Sequence, residues 1–279
     1  ARNRTQGRTV GRTGKNTNGP PVPIIAHDDV KRMLLAQKSY CEGALALCLY
    51  GARLVDEKKT GSPEQAEQAI ALLELLTPVA KSWPSQWCLE ANSLAIQVHG
   101  GYGYTRDFPV EQHWRDNRLN MIHEGTHGIQ ALDLLGRKIL GNDGAGMRLW
   151  ILRVEATMHE AATYPELLAH INSLGDAIAS LQNAVRQLGA VEIKQHALAN
   201  STDFMQAFGH IVVAWLWLDV ACVVCRLLPA GTGVAKEHLR GLLQAAHFFF
   251  RFELPKVSAW LEVSADCDPT VREMQDAWF

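Results

Sequence analysis

The sequence predicts an all-α fold. Apolar residues recur at spacings of three and four along most of its 279 residues, and no apolar/polar alternation lasts long enough to make a sheet. Composition agrees with a globular chain: 47% hydrophobic and 20% charged, with 27 basic against 29 acidic side chains, a net charge of −2. That balance excludes disordered, collagen-like and strongly cationic nucleic-acid-binding classes. Six cysteines without a framework of short loops point to a reducing compartment rather than a disulfide scaffold. The chain starts at Ala1, with no apolar stretch behind its basic opening, which suggests a piece of a longer protein without a signal peptide.

Residues 1–26 carry Arg2, Arg4, Arg8, Arg12 and Lys15 with four glycines and three prolines, and read as a flexible basic arm or loop. From Asp28 a helix is expected, with Val30, Met33, Leu34, Cys41, Ala44, Leu45, Cys48 and Leu49 in phase, ending at Lys58-Lys59 before Gly61. Ser62 caps a second helix from Pro63, with Ile70, Leu73 and Leu76 on its apolar face, and Pro78 is expected to bend or divide it. The pattern resumes at Trp83 and runs to about Val98. A glycine-rich loop spans His99 to Thr105, and a short helix covers 110–117. After a tight joint at 122–126, a helix is expected to turn Ile129, Leu132, Leu135 and Ile139 inward, with Asp133 and Arg137 paired outside.

The run from Gly141 to Gly146 is the clear internal linker. Helices follow at about 147–172, 176–190, 200–228 and 233–262, the last bent near Pro255, with a short one after Asp268-Pro269. The expected division is 1–26, 27–142 and 147–279, two helical units behind an arm. The run from Ile211 to Leu228 is interrupted by Asp219 and Arg226, which suits a buried bundle helix better than a membrane span.

Several motifs invite chemistry. His123-Glu124-x-x-His127 has the spacing of a zinc-hydrolase signature, which requires both imidazoles on one regular helix. Gly125 and the break after Asn120 make that position a helix start instead, so no metal ligand is assigned. Cys222-Val-Val-Cys225 lies in the most apolar run and reads as two small buried side chains. Trp83, Trp87, Trp114, Trp150, Trp215 and Trp217 read as core, and His210, His247 and Phe248 to Phe250 as core and its edge. Gly100 and Gly101 alone specify only a turn or a close backbone approach.

The stretch from Leu94 to Leu140, including AIQVHGGYGYTRDFPVEQHWRDNRLNMIHEGTHGIQALDLLGRKIL, resembles the C-terminal helical domain of acyl-CoA dehydrogenases. PIIAHDDVKRMLLAQKSYCEGALALCLYGARLVDE and Arg4-Thr-Gln-Gly-Arg8 extend the likeness upstream. Residues 147–279, through FELPKVSAW, are similar to the extra helical domain of an extended bacterial branch, that of 3-methylmercaptopropionyl-CoA dehydrogenase. The resemblance implies a four-helix bundle followed by a second helical domain, and FAD-dependent α,β-dehydrogenation of an acyl-CoA thioester. By that likeness Glu124 is the catalytic base, and Glu124 and Gly125 meet the substrate. Arg4, Gln97, Gly100, Gly101 and Thr126 contact FAD, with Arg4 reaching the pyrophosphate of a neighbouring subunit.

The resemblance also implies an electron-transfer flavoprotein or similar acceptor, a homodimer or homotetramer, and a cytoplasmic bacterial setting, with no nucleic-acid partner. Arg115, Asp116 and Arg118 match a run of structural ion pairs. His123 stands where many members have tyrosine, Gly128 replaces a FAD-binding glutamine, and Asn3 replaces an acidic residue. The family's N-terminal and β-domains have no counterpart here, so turnover by this chain alone is not expected. The alternative readings are a zinc hydrolase using His123, Glu124 and His127, and a non-catalytic helical interaction module.

Overall fold

The computed structural model describes residues 1–11, 14, 15, 19–123, 125–141 and 144–279, with Lys15 described through its backbone only. Two long antiparallel helices, α1 (Asp28–Thr60) and α2 (Pro63–His99), form the frame. Asp28 and Asp29 in the first turn of α1 and Lys58 and Lys59 in its last complement the helix dipole. Ser62 and Gln65 make a reciprocal capping box that starts α2, with Pro63 at the first helical position.

Pro78 does not divide α2, which runs unbroken through both Pro78 and Pro84. Leu75, Leu76, Val79 and Trp83 on either side of Pro78 are buried, so tertiary packing offsets the lost backbone hydrogen bond. Ile70, Leu45 and Leu49, expected inward, are exposed; Ala44, Leu47 and Leu54 carry the face of α1 that enters the core.

A tight turn at Gly100–Tyr104 leads to α3 (Val110–Arg118), where Arg115 pairs with Glu111 at 2.8 Å. Trp114 lies at the surface rather than in the core. Next comes α4 (His127–Leu132), which widens into a π-helical segment over Asp133–Ile139. The wider turn changes the phase of the face. Gln130, Ala131, Leu134, Leu135 and Ile139 point in, whereas Ile129 and Leu132 are 60% and 47% exposed, against expectation. Asp133 and Arg137 do pair.

The second half contains α5 (Ala145–Ala161), α6 (Leu168–Gly189), α7 (Lys194–Leu198), α8 (Ser201–Leu227), α9 (Gly233–Phe248), α10 (Lys256–Ala265) and α11 (Thr270–Glu273). The break expected near 173–175 lies instead at 162–164. Tyr164 precedes Pro165 and is held extended at φ −114°, ψ 102°, while α6 runs through Gly175. A π-helical turn at Phe249–Glu253 and then Pro255 bend the α9–α10 passage, as the position of Pro255 suggested.

Helix α8 is long and apolar enough to cross a membrane by length and composition, yet 83% of its most apolar window is buried in the protein. It packs against α1, α2, α4, α5, α6, α9 and α10. Two glycines permit the closest approaches. A Cβ on Gly43 would sit 2.8 Å from Val213, and one on Gly209 would sit 2.7 Å from the Trp83 ring. Residues from both halves therefore form one continuous core.

A buried polar cluster crosses the same boundary. Trp83 Nε1 donates to His210 Nδ1 at 3.1 Å, and His210 Nε2 lies 3.7 Å from Glu253, which also pairs with Lys256 at 2.6 Å. Burial raises the Glu253 carboxyl, but the neighbouring His210 and its bond from Lys256 more than offset this and hold it below the usual range.

Candidate functional site

The basic arm is folded back on the frame. Gln6 N–H donates to Val22 O at 3.0 Å, Val22 N–H to Gly7 O at 3.1 Å and Ile24 N–H to Arg4 O at 2.8 Å. His27 Nε2–H donates to Gln6 O at 2.7 Å. Gly7 has φ +73°, and a Cβ there would meet the His27 ring at 3.1 Å, so only glycine makes this turn without strain. Val10–Gly11 and Gly14–Lys15 then pair as a two-residue antiparallel ladder, shorter than any strand the sequence pattern could reveal. Arg12 falls outside the described residues.

This hook brings Arg4 to the far end of α2. There Arg4, Gln97, Gly100 and Gly101, spread over almost a hundred positions of sequence, line one open cleft of about 710 Å³. The Arg4 guanidinium lies 5.8 Å from the Tyr102 ring centroid, a cation–π arrangement, and reaches Gln6 Oε1 at 3.5 Å.

Gly100 ends α2 at φ +65°, and added Cβ atoms on Gly100 or Gly101 would meet nothing within 4 Å. Their bareness leaves room in the cleft and serves no internal contact. Gly103 is the opposite case: a Cβ would sit 2.6 Å from Ile96 O and 2.8 Å from His99 Cβ, so this glycine is needed to close the turn. His27 and Tyr102 also line the cleft; their only signal in sequence was an aromatic inside a glycine run and a histidine before a helix.

Thr126 is not in that cleft. It stands at the head of α4, and its hydroxyl does not cap the helix. Glu124 lies outside the described residues, so the loop is known from its flanks. His123 N–H donates to Leu119 O at 2.9 Å, and the His123 side chain is exposed. Gly125 has φ +100°, and a Cβ on it would meet Gln130 Nε2 at 2.8 Å, so the residue after Glu124 must be glycine for two reasons.

His127 begins α4 and bonds Ser82 Oγ through Nδ1 at 2.5 Å, while burial, and then Arg118, lower its pKa. His123 lies in a turn before α4 and His127 within it, so the two imidazoles do not share the regular helix that the zinc motif requires. Among the described residues no group of three or more His, Cys, Asp or Glu is placed to hold a metal ion. Cys222 and Cys225 are buried on α8, and burial pushes their thiols up to about 12 and about 11, which suits inert core residues.

Two family models match end to end. "Acyl-CoA dehydrogenase, C-terminal domain" covers residues 9–140, and "Acetyl-CoA dehydrogenase C-terminal like" covers residues 150–275. A broad-specificity linear acyl-CoA dehydrogenase of Mycobacterium tuberculosis is 29% identical over all of this chain and 47% of its own length. The 3-methylmercaptopropionyl-CoA dehydrogenase of Ruegeria pomeroyi is 32% identical over 93% of this chain and 44% of its own. The chain thus spans about half the length of these relatives.

Among solved structures, Caenorhabditis elegans ACDH-11, crystallised with C11-CoA, matches with TM-score 0.64 at 19% identity, over 94% of this chain and 43% of that one. A Bacillus anthracis acyl-CoA dehydrogenase complexed with FAD matches at TM-score 0.51 and 17% identity, over 91% and 51%. These two show the shared helical fold. With both halves of the chain matched by C-terminal models of one family and the bundle matched in space, the chain belongs to the acyl-CoA dehydrogenase family, as its C-terminal helical part.

Proposed function

We propose that this chain supplies the catalytic base and one adenosine-side cofactor grip of an FAD-dependent acyl-CoA dehydrogenase, which introduces an α,β double bond into an acyl-CoA thioester. The observation that carries the reading is the convergence of Arg4, Gln97, Gly100 and Gly101 on one cleft. The residues present fit the adenosine diphosphate end of FAD. Arg4 brings a fixed positive charge for a diphosphate, and Gln97 brings an amide with no partner of its own among the described residues. The bare glycines leave space that a Cβ would fill. A charge-assisted hydrogen bond from Arg4 is worth about 1.5–3 kcal/mol.

Bound FAD supplies the hydride acceptor for the substrate β-carbon. Glu124 takes the α-proton onto a carboxylate oxygen, and this works best where water is excluded and its proton affinity is raised toward neutral pH. Gly125 lets the thioester approach, and the backbone N–H of Glu124 helps to polarise its carbonyl. Thr126, with its hydroxyl free of capping duty, lies by the phosphates of the cofactor.

Arg4 and Thr126 occupy different places on one protomer. They act on one cofactor if a second copy supplies one of them, which makes a homodimer or homotetramer the working form. Electrons then pass to an electron-transfer flavoprotein or similar acceptor.

The test is made in a polypeptide that joins this chain to the family's remaining domains. Glu124→Gln should retain yellow flavin but lose bleaching by acyl-CoA. Arg4→Gln should lose flavin on gel filtration. Turnover retained by Glu124→Gln would refute the role of Glu124, and flavin retained by Arg4→Gln would refute the cleft.

A further inference from the structure

The two cysteines of α8 are buried and inert, but three others gather where α1 and α2 meet. Cys41 and Cys48 are exposed on α1, and Cys88 is half-buried on α2. Tyr40 and Trp87 touch across the seam between these helices, with ring centroids 5.1 Å apart. Cys41 and Cys88 are the next residue on each helix, so they stand level with one another.

Their direction follows from the helix period of about 100° per residue. Gly43 of α1 and Trp83 of α2 face α8, where they approach Val213 and Gly209. Cys41, two residues before Gly43, lies about 160° round α1 from that face. Cys88, five residues after Trp83, lies about 140° round α2. Both thiols therefore open away from α8, and the S–H of Cys88 donates to the Cys41 sulfur. Cys48 is two turns further along α1, about 10 Å from Cys41, which is beyond the reach of a disulfide between them.

The two thiols differ in chemistry. The bond from Cys88 lowers Cys41 to about 7, so thiolate is a large share of it at neutral pH. The same bond, then burial, then the Cys41 charge push Cys88 up, which keeps it protonated. One sulfur is thus a nucleophile and the other a protonated reserve beside it. The bond and the charge both belong to the Cys41 thiolate. They vanish once Cys41 becomes a neutral sulfenic acid, and Cys88 is then freed to attack.

The geometry points to Cys41 and Cys88 as a peroxide-reactive thiol pair that closes into a reversible disulfide between α1 and α2. The Cys41 thiolate attacks hydrogen peroxide. Its S–O bond forms as the O–O bond breaks, and the departing hydroxide takes up a proton to become water. The Cys88 sulfur then attacks the sulfenic sulfur. The S–S bond forms, the S–O bond breaks, and the Cys88 proton leaves with the hydroxide as a second water. Two thiols are oxidised, one peroxide is reduced, and exchange with a small thiol such as glutathione restores the pair. In a reducing compartment the linked form is transient. The pair does not rest on the flavin reading, because neither cysteine lines the Arg4 cleft.

The test uses the full chain, reduced, freed of reductant and treated with a small excess of hydrogen peroxide at neutral pH. Peptide mapping by mass spectrometry should find Cys41 joined to Cys88, and dithiothreitol should restore both thiols. Cys41→Ser should abolish the link, and Cys48→Ser should leave it intact. In Cys88→Ala the sulfenic acid on Cys41 should persist and be trapped by dimedone. That variant also loses the bond that holds Cys41 down. A return from about 7 toward the ordinary 9.0, partly offset by the stronger nucleophilicity of a more basic thiolate, should slow alkylation of Cys41 by iodoacetamide about fivefold. Circular dichroism verifies that each variant is folded. A wild-type chain that keeps Cys88 free, whether Cys41 stays reduced or runs past sulfenic acid, would overturn the proposal. So would a link made through Cys48, or a Cys41 alkylation rate in Cys88→Ala equal to that of wild type.

Discussion

Two glycines two residues apart should behave in opposite ways. At Gly103 a methyl group would sit 2.6 Å from Ile96 O, 2.8 Å from His99 Cβ and 3.0 Å from Ile96 Cα, and two of those three atoms belong to the α2 backbone, which cannot swing aside. Relief requires the turn to move, and overpacking of this kind costs typically about 1–3 kcal/mol. An unfolding entropy of about 2.1 cal/mol/K per residue gives about 0.6 kcal/mol/K for a chain of this length, so Gly103→Ala should lower Tm by roughly 2–5 °C.

At Gly101 the added group meets nothing within 4 Å, and the backbone is outside the positive-φ region. Gly101→Leu should therefore change stability by no more than about 0.5 kcal/mol, less than about 1 °C. It does, however, place a side chain in the cleft that Arg4 and Gln97 line, and flavin retention in the multidomain protein should fall by roughly tenfold or more, equivalent to about 1.4 kcal/mol. Thermal melts followed by circular dichroism, with flavin absorbance per polypeptide after gel filtration, separate the two effects. Wild-type flavin content in Gly101→Leu, or a Tm loss there equal to that of Gly103→Ala, would show that the bare glycines serve the fold and not a ligand.

Gly209→Ala should destabilise by about 1–3 kcal/mol, because its methyl would press on the Trp83 ring at 2.7 Å, and calorimetry should still show one transition since both halves share a core; two separate transitions would contradict the shared core. The acid limb of stability should begin near the unfolded histidine pKa of about 6.5. His170 is depressed to about 4 and buried His210 is also lowered, so the unfolded chain takes up protons first and stability falls as pH drops through that window. His170→Gln should flatten the slope of Tm against pH between about 6.5 and about 4, and parallel curves for variant and wild type would exclude this source. Cys41 is exposed, and its thiol, lowered to about 7 by a hydrogen bond from Cys88, should react first with a disulfide reagent at neutral pH. Cys222 and Cys225 should stay silent until denaturant is added; early labelling of either would mean that α8 opens locally.

The limits of α1, α2 and α8 were legible because their signals are local. Asp28, Lys58-Lys59 and Gly61, the Ser62 cap before Pro63 and the apolar run from Ile211 lie on or beside the residues they specify. Other features were not local. Pro78 breaks an isolated helix, but here it lies between buried neighbours that keep α2 continuous. The inward face of α4 depends on a π-helical turn that shifts the phase by a fraction of a turn, enough to expose Ile129 and bury Gln130. The end of α5 follows from the extended conformation that Pro165 imposes on Tyr164, a cue present in the sequence but outweighed there by the continuing apolar period.

By itself the sequence determined the helical class, the punctuation of the long helices and, through the run around Glu124, the family resemblance; these rest on capping, periodicity and residue order, which are written in neighbouring positions. Only the tertiary structure decided that the basic arm folds back, so that Arg4 meets Gln97, Gly100 and Gly101, and that the histidine at 170 is buried with both ring nitrogens unmatched. Those outcomes depend on contacts between residues tens of positions apart. Their strength is set by which surfaces remain apolar, and which polar atoms remain unmatched, once every helix has packed.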